Sequence, residues 1–90
     1  MNALRLALDA VVAAESEYKT RCLVVWHELK AADPALAEEI LRLGFDEPTA
    51  AQWVCSPFRE LGDSPAALVA AGRSTEIMDR VYRTMHGFIG

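Results

Sequence analysis

A chain of 90 residues, 52% hydrophobic and 24% charged, has material for one modest core and not for two, and leaves little for a catalytic cleft with its own lid. Its net charge of -4 and pI near 5.0 give no general attraction for phosphate, and the nine basic residues are scattered from Arg5 to Arg83 rather than gathered in a patch. Those two facts argue against a nucleic-acid binder that works by bulk charge.

Glycine and proline are absent before Pro34, and the Ala, Leu, Glu and Arg content of the first third favours helix throughout. Alternating four and three spacing picks out Leu4, Leu8, Val11, Glu15, Tyr18, Cys22, Val25 and Leu29, a heptad stripe with Glu15 its one charged member. A second apolar set, Leu6, Ala10, Ala13, Leu23, Val24 and Trp26, widens the stripe at both ends, while "ESEYKTR" between them is mainly polar. The pattern predicts one long helix, or two meeting near residues 15–20. A continuous helix of about 40 Å exceeds the diameter of so small a domain and calls for a partner, so Leu4, Leu8, Val11, Tyr18, Val25 and Leu29 are the expected oligomerisation residues. The plainer alternative is a core stripe of a monomer.

Each later element carries its own punctuation. "DPALAEEILRLGF" has Asp33 as N-cap, Pro34 in the first turn and Gly44 as stop, with Leu36, Ile40, Leu41 and Leu43 as its inner stripe. "DEPTAAQWVCSPF" repeats the design, capped by Asp46 or Thr49, ended by Ser56 and Pro57, and anchored by Trp53 and Val54. A short helix starts at Ser64 and Pro65 and stops at Gly72, with Leu68 and Val69 inward. Ser74 caps the last helix, whose Ile77, Met78, Val81, Tyr82 and Met85 share a face, with Glu76 and His86 placed to suit the helix dipole. No segment alternates with period two. The expected fold is all-α: a small bundle of four to five helices with a long N-terminal amphipathic helix or helix pair. Residues 1–40 form the N-terminal helical region and 41–90 the second unit.

Residues that could carry chemistry are few. Cys22 and Cys55 fit no disulfide framework or zinc spacing and read as buried thiols of a reducing compartment. The first residues lack a basic start, acids interrupt the apolar stretch, and "CLVVW" is far short of the roughly 20 apolar residues a membrane span needs, so a cytoplasmic protein is expected. His27 lies five residues after Cys22, about 500° around a helix, and shares no face with it. HExxH, a Gly-rich phosphate loop and GxSxG are all absent. The neighbouring carboxylates Glu38 and Glu39 point about 100° apart, too far to act as acid and base together. No enzyme, metal or cofactor is expected.

From about Leu41 to the end the order of features becomes specific. Trp53 followed by Val54, a short proline-containing stretch, Leu61 and Gly62, Ser64 and Pro65, a small helix ending in Gly72, and a last helix finishing at His86 and Gly87 follow in sequence. This half of the chain resembles the C-terminal toxin-binding domain of the Xre/MbcA/ParS antitoxin family. The resemblance implies a protein that neutralises a RES-type, NAD-consuming toxin by placing its C-terminal segment over the toxin's active-site cleft. Carried onto this chain, Arg80, Arg83, His86, Gly87, Phe88, Ile89 and Gly90 would be the partner-binding residues. Phe88 and Ile89 are an apolar end that must either fold back onto its own core or enter a partner.

Full members of that family also carry an N-terminal helix-turn-helix, whereas the first forty residues here are heptad-like and contain no basic recognition helix. Two other readings therefore stand beside the first. One is a phage or mobile-element inhibitor of another bacterial machine, suited by the acidic balance. The other is a DNA-binding transcriptional regulator with a shortened headpiece.

Overall fold

The computed structural model describes residues 2–86, without the side chains of Met85 and His86. It is a small all-α bundle of five helices: α1 (Ala3–Ala32), α2 (Pro34–Leu41), α3 (Glu47–Cys55), α4 (Pro65–Ala70) and α5 (Ser74–His86). The first third is a single helix, with no break at residues 15–20. Asn2 opens it by accepting the Arg5 N–H, and three ion pairs at i,i+4 spacing, Arg5 with Asp9, Lys19 with Glu15 and Arg21 with Glu17, run along its surface.

Local chemistry sets the other boundaries. Asp33 accepts the Leu36 N–H, Asp46 the Thr49 N–H and Ser64 the Ala67 N–H, and each cap is followed within two residues by a proline in the first turn. Asp46, not Thr49, is thus the cap of α3, and Ser74 is the first residue of α5 rather than its cap. Gly72 takes φ +78 directly after α4, the left-handed position at which helices commonly stop.

Only the second half of α1 belongs to the core. Cys22, Trp26 and Leu29 are buried with Leu36, Ala37 and Ile40 of α2, Ala50, Ala51 and Val54 of α3, Leu68 of α4, and Ile77 and Val81 of α5. α2, α3 and α4 clasp that half of α1, while α5 packs on α2 and α4. One cluster therefore runs across the boundary expected at residues 40 and 41. Residues 2–21 are all exposed, and the first half of α1 leaves the bundle as an arm. The helix is about 45 Å long, and the radius of gyration is 15.8 Å where about 12 Å is usual for this chain length.

Several side chains stand elsewhere than the sequence reading put them. Leu29 is 4% exposed and Val25 half-buried, because the clasping helices take the second half of the heptad stripe for this chain's own core. Neither is freely offered to a partner as the first half is. Ala37 is buried in α2 where Leu41 and Leu43 are only half-buried. Tyr82 stands 63% exposed, since α5 buries the narrow row of Ile77 and Val81 and Tyr82 projects about 100° away from Val81. Trp53 and Cys55 are half-buried; the buried tryptophan is Trp26.

Candidate interaction surfaces

The partner-binding residues inferred from the sequence fall on and beyond α5. Arg80 lies over the Phe58 ring, 5.7 Å from its centroid, and its Nη1 is 3.9 Å from Glu60 Oε2. Phe58 ends an aromatic row in which Trp53 stands 5.4 Å from Phe58 and 5.9 Å from Phe45, all tilted. The backbone positions this row through a tight turn: Phe58 N–H donates to the Asp63 carbonyl, and Gly62, at φ +82, donates back to Phe58. Arg83 pairs with Asp79 at 3.1 Å.

Together Glu60, Leu61, Glu76, Asp79, Arg80 and Arg83 line an open cavity of about 280 Å³. Arg73 donates a charge-assisted hydrogen bond to Glu76 at 2.8 Å, which holds that carboxyl below its ordinary range. The surface carries charges of both signs beside an aromatic edge. Gly87, Phe88, Ile89 and Gly90, together with the His86 side chain, lie outside the described residues.

A second surface is the arm. Leu4, Leu8, Val11 and Tyr18 are 69%, 45%, 61% and 49% exposed, as are Leu6 and Val12 beside them at 57% and 61%. Of residues 3–14 only Arg5 and Asp9 are polar, and they pair with one another. On a helical wheel the apolar residues of this stretch span about 260°.

A third surface did not emerge from the sequence. Between α1 and α4 runs an open groove of about 530 Å³ lined by Val24, Val25, Glu28, Leu29, Ala32, Ala66, Val69 and Ala70, all but one apolar. The available signal was Val24 flanking the heptad stripe, together with small residues one turn apart at Ala66 and Ala70.

Titratable groups elsewhere serve the fold. The Glu47 carboxylate accepts from Lys30 Nζ at 2.6 Å and from the Trp26 indole N–H at 3.2 Å, and these contacts hold its pKa below the usual range. Burial, with a hydrogen bond between Cys55 and Cys22, pushes the Cys55 thiol up to about 11. Among the described residues no group of three or more His, Cys, Asp or Glu is placed to hold a metal ion, and no helix is long and apolar enough to cross a membrane. Among known proteins, no family model, curated protein or solved structure matches this chain.

Proposed function

We propose that this chain is a non-catalytic, cytoplasmic antitoxin-like protein that binds a RES-type, NAD-consuming toxin through α5 and the residues after it and holds the toxin inactive. The observation that carries the reading is the Arg80 clamp. Stacked on Phe58 and drawn towards Glu60, Arg80 fixes the middle of α5 in advance, so its last turns are presented with less ordering cost on binding. The residues of the family resemblance also sit at structural joints: Trp53 in the aromatic row, Gly62 in the turn, Ser64 and Pro65 at the α4 cap, Gly72 at its end.

The test mixes the intact chain with a purified RES-type enzyme and follows NAD consumption. Stoichiometric inhibition is expected, and Arg80→Glu with Arg83→Glu should weaken it about tenfold or more while the helical circular dichroism is kept. Undiminished NAD consumption at excess chain, with no complex on a sizing column, overturns the proposal. Salt-dependent retention on duplex DNA would favour the regulator instead.

A further inference from the structure

We propose that Cys22 and Cys55 are a redox pair that a hydroperoxide closes to an intramolecular disulfide, tying the base of the arm to the end of α3. The pair stands apart from the toxin reading, since α5 takes no part in it, and either can fail alone.

The register of α3 on α1 brings the two sulfurs together. Glu47, in the first turn of α3, accepts from Trp26 and Lys30, while Cys55, the last residue of α3, is hydrogen-bonded to Cys22, so the two helices run antiparallel. Eight residues of helix from Glu47 to Cys55 cover about 12 Å. Counted back along α1 from the point midway between Lys30 and Trp26, that length ends midway between Cys22 and Tyr18. Tyr18 responds to both sulfurs: its hydroxyl is raised above its ordinary range mainly by a hydrogen bond with Cys22 and in smaller part by the nearness of Cys55. Cys55 also packs against the buried cluster that contains Cys22.

A disulfide asks for Cα atoms about 4.4–6.8 Å apart. Ala51, one turn before Cys55 on the same face of α3, is small and fully buried, which lets the helices lie close. Beyond Cys55 the chain turns extended at Ser56, so the Cys55 Cα can shift without dragging a further helical turn.

Exposure assigns the roles. Cys22 is 2% exposed and Cys55 half-buried, so a small oxidant meets Cys55 first. With hydrogen peroxide, the Cys55 thiolate attacks one oxygen, the O–O bond breaks, and the other oxygen leaves as water with the proton the thiol has lost; Cys55 becomes a sulfenic acid. Cys22 then attacks the Cys55 sulfur, the S–S bond forms, and the sulfenic oxygen leaves as a second water with the Cys22 proton. Two thiols give up two electrons and one peroxide becomes two waters. The chain has no third cysteine to compete. Burial, which pushes the Cys55 thiol up to about 11, makes closure slow, and a thiol so weakly acidic is also a poor leaving group, which makes reopening slow. The pair thus answers to lasting rather than brief oxidation.

The closed bond encircles residues 22–55, a loop that holds the second half of α1 with α2 and α3 and so restricts the unfolded chain. The test treats the purified, folded chain overnight with millimolar hydrogen peroxide at neutral pH, then adds iodoacetamide in denaturant. The chain should lose about 2 Da, take up no alkyl group, yield a peptide pair joining Cys22 to Cys55, and run as a single chain on a non-reducing gel. Its melting temperature should rise by about 10 °C and return with dithiothreitol. Cys22→Ala removes the thiol that resolves the sulfenic acid, so Cys55 should then be trapped by dimedone, as it is not in the native chain. Cys55→Ser leaves Cys22 alone in the core, where it should survive peroxide; circular dichroism checks that each variant folds. Two free thiols after the overnight treatment, a gain of about 32 Da at Cys55, a link between two chains, or closure with no rise in melting temperature each overturns the proposal.

Discussion

The indole N–H of Trp26 reaches the Glu47 carboxylate at 3.2 Å, and the same oxygen receives Lys30 at 2.6 Å, so one acid ties two successive turns of α1 to the first turn of α3. Trp26 is fully buried, while Trp53, which the sequence marks more conspicuously, is half-buried in the aromatic row. Trp26→Ala should therefore cost about 3–5 kcal/mol, clearly more than Trp53→Ala. Urea denaturation of the two variants gives the order directly, and a larger loss for Trp53→Ala would show that the core is misplaced.

The same carboxylate makes stability depend on acid. Glu47 has a folded pKa below its unfolded value, as has Asp46, whose side chain accepts the Thr49 N–H. A lowered carboxylate contributes stability that is fully present above the unfolded pKa, about 4, and is lost as pH falls through the folded pKa. Melting temperature should hold from neutral pH to about 5 and drop below 4. In Glu47→Gln the starting stability is lower and the acid drop shallower; an unchanged slope would remove Glu47 from the account.

Gly72 ends α4 at φ +78, and a Cβ there would meet nothing within 4 Å. The penalty for a side chain is thus conformational alone. Gly72→Ala should destabilise by about 1–2 kcal/mol, and Gly72→Asn by less, because asparagine tolerates the left-handed region better. Equal losses for the two would point to a steric cause.

Cys55, pushed up to about 11, is almost wholly protonated at pH 8, and Cys22 is 2% exposed. Alkylation of the folded chain by iodoacetamide at that pH should run about a hundredfold or more slower than for a free cysteine, and denaturant should restore the ordinary rate. Fast modification of the native protein would contradict the raised Cys55 thiol and the burial of Cys22.

The residues that bound helices were legible because their chemistry is local: Asp33, Asp46 and Ser64 start helices by accepting a backbone N–H three positions on, and Gly72 takes a backbone angle that other residues resist. The heptad stripe was equally plain, but spacing alone does not say what covers it. Cys22 and Leu29 turn to this chain's own helices and Leu4 and Val11 to none of them, a division made by where α2 to α4 fold back. For the same reason the groove beside Val69 was invisible, since it exists only where α1 and α4 pass one another. The Arg80 stack on Phe58 joins residues 22 positions apart, and no local spacing announces such a contact.

The separation of arm from bundle means that the two halves of one continuous helix answer differently to the same change. Substitutions among residues 3–14 should leave the melting of the bundle almost untouched, so a mutational survey scored on folding would read these positions as silent, because none of their side chains enters the core. Changes can accumulate along the arm without passing through the fold.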